Sequence, residues 1–159
     1  MIYKIKNIKK LISSILICQL AGIIGSIFTA SSISDWYIYL NKPSFNPPSF
    51  VFAPVWTLIY ILMGIAVYLI WTSDKRRSIL PLVIFDIQLI LNVLWSILFF
   101  GFRNPFIAFI DIILLWIFII LAIWQFAKVE KKAAYLLIPY ILWVSFAVVL
   151  NYWIWQLNI

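Results

Sequence analysis

Residues 36–60 read WYIYLNKPSFNPPSFVFAPVWTLIY, and this segment determines how the rest of the chain is interpreted. It contains four of the chain's seven prolines: Pro43, Pro47, Pro48 and Pro54. Proline lacks an amide donor and drives the preceding residue into extended geometry, so the window NKPSFNPPS cannot form a helix. An aromatic segment precedes this window and a long apolar run follows it. Residues 31–49 are therefore predicted to form a long, structured connection between two apolar helices.

The composition of the chain is that of a membrane protein. Apolar residues make up 66% of the 159 residues, charged residues 11%, and the mean hydropathy is +1.10. Soluble domains are nearer to about half apolar and about a quarter charged. A soluble fold of this length has no place to bury so much apolar surface, so the lipid bilayer is a predicted partner.

Five apolar runs are long enough to span a bilayer, which requires about 20 residues per helix. They are predicted at residues 11–32, 51–72, 79–102, 105–127 and 133–157. No internal repeat or composition shift marks a second domain. The predicted fold class is an all-α integral membrane protein with a single transmembrane domain over residues 1–159. This domain is a five-transmembrane-helix bundle with a structured proline-rich loop between helices 1 and 2.

Basic residues are distributed unevenly between the two ends of the predicted bundle. Ten of the twelve lie in the N-terminal segment and in the second and fourth connections, whereas Lys42 and Arg103 lie at the other end. Basic connections favour the cytoplasmic side. We therefore expect a multi-pass cell-membrane protein with a cytoplasmic N-terminus and an extracytoplasmic C-terminus. The basic clusters are interpreted as topology signals and lipid-headgroup contacts, and no nucleic-acid partner is predicted.

The residue types present exclude several kinds of chemistry. The chain has no histidine and one cysteine, Cys18, which lies within an apolar run. Disulfides within the chain are therefore impossible. Histidine-based zinc sites, haem ligation by histidine and His-dependent catalytic triads are likewise excluded. No metal site is predicted.

Three tryptophans on three different predicted helices point to a ligand pocket. Under the predicted topology, Trp56, Trp95 and Trp143 are expected in the half of the bundle nearest the proline-rich loop. Each alone is typical of an aromatic packing stripe or an interfacial belt. Converging beneath the loop, they would form the walls of an aromatic pocket, with Asn92 as its hydrogen-bonding group. Such a pocket suits a flat hydrophobic ligand with polar edges.

Two features of the spans leave alternatives open. The first span has small residues at helical spacing, Cys18, Gly22 and Ser26, which allow close helix approach within the chain or between protomers. Asp111 lies inside the fourth span. Ionisable groups there either serve function or pair with another helix, through a cation or a hydroxyl.

Three motifs in chain order resemble the TspO/MBR family, the tryptophan-rich sensory proteins related to the mitochondrial translocator protein, or peripheral benzodiazepine receptor. They extend over about three quarters of the chain. The first comprises Trp36, Tyr37, Leu40, Lys42, Pro43, Ser44, Phe45, Pro47, Pro48, Pro54, Val55, Trp56 and Tyr60. The second comprises Leu91, Asn92, Trp95, Phe99, Phe100 and Gly101. The third comprises Pro139, Tyr140, Trp143, Phe146, Ala147, Leu150, Asn151 and Tyr152.

The resemblance implies a homodimer of five-helix subunits that binds porphyrins such as protoporphyrin IX. It also implies binding of hydrophobic aromatic ligands of the isoquinoline carboxamide and benzodiazepine types. No cofactor is required, and porphyrin enters as ligand or substrate. Matching by motif, the resemblance implies pocket positions at Trp56, Asn92 and Trp143 and flanking positions at Tyr37, Pro47 and Ala147.

Three functions are consistent with the resemblance. The first is porphyrin binding in a tetrapyrrole-handling, stress or sensory role. The second is an enzymatic role, light- and oxygen-dependent porphyrin degradation with Trp56 and Trp143 as catalytic residues. The third is transport of porphyrins or of lipids and sterols, although five spans without a repeat lack the symmetry common in secondary transporters. The segment WIWQLNI after Tyr152 carries no base, so the family's sterol-recognition pattern is incomplete.

Overall fold

Helices account for most of the described chain, which is residues 7–159 of a computed structural model. Within these residues there is no β-strand. Lys4 and Lys6, which contribute to the predicted topology, lie outside the described residues. The helices are α1 (Ile8–Ile33), α2 (Phe52–Trp71), α3 (Leu80–Ser96), α4 (Pro105–Val129), α5 (Lys131–Leu136) and α6 (Ile138–Leu157).

Five segments are long and apolar enough to cross a membrane, which confirms the predicted fold class. They are Ile8–Ile33, Ser49–Trp71, Leu80–Gly101, Pro105–Val129 and Lys131–Leu157. Each overlaps one predicted span, with boundaries that differ by a few residues. These differences arise because caps, rather than hydropathy, set where a helix begins and ends.

Local sequence explains the helix boundaries that hydropathy misses. The side chain of Asn7 accepts a hydrogen bond from the amide of Lys10 at 3.1 Å, so α1 begins before its apolar run. The fifth span is broken between α5 and α6 because Pro139 offers no amide to the carbonyl of Tyr135.

The spans form a closed ring. α1 packs against α2 and α3, α4 packs against α3 and α6, and α2 packs against α5. Each span therefore contacts two neighbours around a common interior. The loop between α1 and α2 lies at the same end of this ring as the C-terminus of α6, because Asn41 and Asn158 are hydrogen-bonded to one another.

Two glycines of α1 and one of α2 allow close contacts between helices within the chain. A Cβ atom on Gly64 of α2 would lie 2.5 Å from the Cα of Ile15, and a Cβ on Gly22 would overlap the ring of Tyr60. A Cβ on Gly25 would meet the Ser96 hydroxyl of α3 at 2.9 Å. Gly22 and Gly25 thus allow α1 to approach α2 and α3 closely, and for Gly22 the contact that the sequence left open lies within the chain.

The end of the third span widens into a π-helical turn, Ile97–Gly101, which follows α3 directly. The amide of Phe102 donates to the carbonyl of Ile97 at 2.8 Å, one residue further back than in an α-helix. Within this turn Phe99 and Phe100 are buried. The chain then leaves the helix through Arg103, whose φ of 53° lies in the left-handed region. The π turn thereby places two aromatic rings beneath the loop.

Candidate ligand-binding cavity

A cavity of about 360 Å³ lies inside the ring, beneath the loop. Its walls come from α1, α2, α3, the π turn and α6, and Tyr37 contributes from the loop. Small-molecule sites usually occupy about 300–1,000 Å³ and are lined mainly by apolar and aromatic side chains. The cavity therefore has the size and the lining of a small-molecule site.

The structure brings together most of the residues that the sequence assigns to the pocket. Six of the seven line the cavity: Tyr37, Trp56, Asn92, Trp95, Trp143 and Ala147. Pro47 is the exception and does not line it. The convergence of three tryptophans from three helices is thus present as geometry, whereas ligand binding by these residues stays a prediction.

The tryptophan rings are held in place by other aromatic rings. Trp56 stacks on Tyr60 with ring centroids 5.6 Å apart. Trp95 stacks on Phe99 at 5.1 Å, and Trp143 meets Phe52 edge to face at 5.9 Å. Such pairs contribute about 0.5–1.5 kcal/mol each beyond simple burial. The aromatic walls are therefore preformed.

A buried chain of hydrogen bonds forms the polar floor of the cavity. The hydroxyl of Tyr60 donates to Oδ1 of Asn92, and Nδ2 of Asn92 donates to the hydroxyl of Tyr140 at 3.0 Å. The Tyr140 hydroxyl in turn donates to Oε1 of Gln88 at 2.9 Å. The chain joins α2, α3 and α6 below the tryptophans.

This floor changes the expected role of Asn92. The sequence predicts Asn92 as the group that hydrogen-bonds the ligand, but its side chain already binds two tyrosine hydroxyls and is only 3% exposed. A buried amide in an apolar bundle requires partners, and the neighbouring helices provide them. One amide hydrogen and one lone pair remain for a ligand.

The three tryptophans differ in what their indole nitrogens do. Nε1 of Trp95 donates to Oδ1 of Asn151 at 2.9 Å, and Nδ2 of Asn151 donates to the carbonyl of Pro105 at 2.8 Å. Within residues 7–159, the structure shows no hydrogen bond from Nε1 of Trp56 or Trp143. Trp95 therefore offers only its ring to the cavity, whereas Trp56 and Trp143 each retain a donor.

The loop that covers the cavity is held by its own polar contacts. The hydroxyl of Tyr37 donates to Oδ1 of Asn46 at 3.1 Å, and Nδ2 of Asn46 donates to the carbonyl of Pro47 at 3.1 Å. Pro47 thus orients Asn46, which holds Tyr37 at the cavity. Its contribution in this structure is indirect because its carbonyl, and not its ring, supports the lining residue.

Lys42 holds the same part of the loop. Its Nζ donates to the carbonyl of Leu40 at 3.0 Å and lies 4.7 Å from the centre of the Tyr37 ring. Burial raises the pKa of the Tyr37 phenol, an effect that the hydrogen bond to Asn46 reduces, and burial lowers the pKa of the Lys42 ammonium. At neutral pH the phenol is therefore a neutral donor to Asn46.

Several lining residues are missing from the set that the sequence assigns to the pocket. Phe52, Tyr60 and Phe99 line the cavity, as do Gly22 and Ser26 of α1. For Gly22 and Ser26, the sequence signal that could have indicated the cavity was the small-residue face of α1. That face predicts close helix approach, but it does not indicate which neighbouring helix is approached or where the two helices separate.

Asp111 does not show the interhelical partner that its position suggested. It is buried, and its Oδ2 has no hydrogen-bond partner among residues 7–159. The structure therefore gives no packing role to this carboxyl oxygen.

The fold and the cavity define a multi-pass helical membrane protein with an aromatic cavity inside the bundle. The chain belongs to the TspO/MBR family, whose model matches residues 14–156. It is 46% identical over 155 residues to the tryptophan-rich protein TspO of Chlorobaculum tepidum, covering 96% of this chain and 98% of that one. It is 45% identical over 152 residues to the tryptophan-rich protein TspO of Archaeoglobus fulgidus, covering 96% and 99%. The translocator protein of Homo sapiens is 35% identical over 143 residues, covering 88% and 85%.

Proposed function

We propose that the cavity binds porphyrins of the protoporphyrin IX type and other flat, hydrophobic aromatic molecules, in a tetrapyrrole-handling, stress or sensory role. The observation that carries this proposal is the pairing of fixed aromatic walls with the two unshared indole donors of Trp56 and Trp143. Ring faces stack on a flat ligand, and N–H donors meet polar groups at its edge.

Saturable quenching of tryptophan fluorescence by protoporphyrin IX tests this proposal. Trp143→Phe removes an indole that lines the cavity, whereas Trp153→Phe on the same helix removes an indole that is 44% exposed and does not line the cavity. We expect wild-type affinity in Trp153→Phe and about tenfold weaker binding in Trp143→Phe. A tenfold loss corresponds to about 1.4 kcal/mol of binding free energy. Quenching that never saturates, or equal affinity in the two variants, would reject binding at this site.

Light-dependent porphyrin degradation is a second candidate. A porphyrin in the cavity would lie beside Trp56 and Trp143, so an excited porphyrin and an oxidisable indole would be neighbours. Illumination in air of wild type, Trp56→Phe, Trp143→Phe and Trp153→Phe, each loaded with protoporphyrin IX, tests this role. Product formation should fall only in the two cavity variants. If both retain binding and form product at the wild-type rate, these indoles take no part.

Transport of porphyrins or of lipids and sterols is the alternative function. The mammalian relatives carry the name translocator protein. Flux of protoporphyrin IX into proteoliposomes, compared with empty vesicles of the same lipid, decides whether this chain moves ligand. A flux no faster than that of empty vesicles removes the transporter.

We further propose a homodimer in the cell membrane, with the start of α1 in the cytoplasm and the loop outside. The orientation is supported by the excess of basic residues at the end opposite the loop. At that end Lys10 lies 4.9 Å from the Trp71 ring and Lys128 lies 3.1 Å from the Trp124 ring. Paired lysine and tryptophan side chains are typical of a membrane interface. Protease access to N- and C-terminal tags in intact cells tests the orientation, and light scattering of purified protein tests the dimer.

A further inference from the structure

The cavity is open on one side, between α1 and the start of the second span. Every exposed residue that lines it belongs to one of these two segments: Ile23, Ser26, Ile33, Ser49, Ala53 and Thr57. From Ile33 to Ile23 the opening follows α1 for about 15 Å, at 1.5 Å per residue. It therefore extends well into the hydrocarbon region, which is about 30 Å thick.

The opening has a defined inner edge. Nε2 of Gln19 donates to the carbonyl of Thr57 at 3.1 Å and joins α1 to α2 at that level. Beyond this bond, toward the N-terminus of α1, the glycine contact of Gly64 with Ile15 brings the helices together. On the loop side of the bond, the small side chains of Ser26 and Ala53 leave the space unfilled.

The roof of the cavity, which is the part of the loop at residues 34–48, is by contrast held in place by hydrogen bonds. Of loop residues 34–48, only Tyr37 lines the cavity, and it is half-buried. Its hydroxyl is bound by Asn46, and the loop is joined to the end of α6 through Asn41 and Asn158. Passage through the roof requires breaking these bonds, whereas passage through the side requires none of them to break.

We propose that the gap between α1 and α2, the α1–α2 opening, is the entrance by which hydrophobic ligands pass between the bilayer and the cavity. The inference rests on the proposed ligand-binding function of the same cavity. It identifies the ligand class as molecules that first partition into the membrane. A hydrocarbon substituent on such a ligand would extend through the opening toward lipid.

Binding kinetics in nanodiscs with protoporphyrin IX preloaded in the lipid test this entrance. Ala53→Phe and Ser26→Phe place a ring in the opening. Leu58→Phe and Ile27→Phe are matched controls on the same two helices, because both residues face outward and do not line the cavity. We expect association about tenfold slower in the first pair, equivalent to about 1.4 kcal/mol in the barrier, and slower dissociation as well. The controls should retain wild-type rates.

A roof variant separates the two possible routes. Asn158→Ala removes two of the three hydrogen bonds that join Asn41 to the end of α6, leaving the one from Nδ2 of Asn41 to the carbonyl of Leu157. It should therefore weaken the roof but leave the association rate unchanged if ligand enters from the side. Faster association in Asn158→Ala, or wild-type association in Ala53→Phe despite saturable binding, overturns the entrance while leaving the proposed function standing. Absence of saturable binding by wild type at equilibrium rejects the proposed function and the entrance with it.

Discussion

Asn158, just after the end of α6, pairs with the backbone of Asn41 in the loop, 117 residues away in sequence. Its Oδ1 accepts from the amide of Asn41 at 2.9 Å, and its Nδ2 donates to the carbonyl of the same residue at 2.9 Å. One side-chain amide thus satisfies both backbone groups of a residue that has no helix to supply its hydrogen bonds. This pair joins the loop that covers the cavity to the C-terminal end of α6.

Asn158→Ala is expected to loosen the loop. Two bonds to the Asn41 backbone are lost, each with a net contribution of about 0.5–1.5 kcal/mol. We expect a lower thermal unfolding midpoint in detergent and faster proteolysis within residues 34–48. Gln156→Ala, at an exposed position of α6, is the matched control and should behave as wild type. Equal proteolysis of the two variants would show that the pair does not hold the loop.

Asn92→Leu is expected to destabilise the bundle. It leaves the Tyr60 hydroxyl without its acceptor and the Tyr140 hydroxyl without its donor, and an unsatisfied buried group costs about 1–3 kcal/mol. The loss of stability is measured by thermal unfolding in bicelles. Tyr152→Phe, at a half-exposed position, serves as a control that removes a hydroxyl outside the network.

A double-mutant cycle shows whether the Tyr60–Asn92 bond itself stabilises the fold. Interhelical hydrogen bonds in membrane proteins couple by about 0.6 kcal/mol on average. We expect Tyr60→Phe and Asn92→Leu to be coupled by at least that amount. Strict additivity of the two effects would mean that the contact contributes nothing to the free energy of unfolding.

Gly64→Ala is expected to separate α1 from α2. The added Cβ would lie 2.5 Å from the Cα and 2.9 Å from the amide nitrogen of Ile15, and backbone atoms cannot move aside alone. We expect a loss of about 1–3 kcal/mol in stability, measured by thermal unfolding, as in other overpacked cores. Gly101→Ala is the control, because its Cβ would meet side-chain atoms alone, the nearest being a ring atom of Phe28 at 3.1 Å. If both variants unfold alike, the close approach at Gly64 does not limit packing.

The loop should lose stability at alkaline pH through Tyr37. Burial raises the pKa of this phenol above its ordinary value of 10.0, so the folded loop retains the proton longer than the unfolded chain does. The associated stability is fully present below about pH 10 and is lost as pH rises through the raised pKa. Loop proteolysis from pH 8 to 11, compared between wild type and Tyr37→Phe, measures this step.

The comparison with Tyr37→Phe isolates the phenol from its neighbour. Burial lowers the pKa of Lys42, so this side chain contributes with the opposite sign, since the folded state releases its proton first. That contribution is common to wild type and Tyr37→Phe and cancels in the difference between them. An identical pH profile for the two proteins would exclude Tyr37 as the titrating group.

Much of the cavity was predictable because its markers are local in sequence. Trp56 and Trp95 lie near the loop ends of their predicted spans, so their depth follows from distance along a helix, whereas Trp143 lies near the middle of its span and comes to lie beside Phe52 only in the folded structure. The number of spans and their approximate positions were also predictable, because they follow from the length of each apolar run. Pro47 was assigned to the site by motif, yet it acts through Asn46, a relation that depends on the folded path of the loop.

The order of residues alone establishes a five-span bundle with Trp56 and Trp95 near the proline-rich loop, because apolar length and helical rise are properties of each segment taken by itself. Only the tertiary structure shows that Asn92 serves two tyrosines, that Asn158 holds Asn41, and that the cavity opens between α1 and α2. These relations depend on which helices are neighbours and on where glycine contacts bring the helices close together. Both depend on contacts between segments that are far apart in the chain, so no single segment determines them.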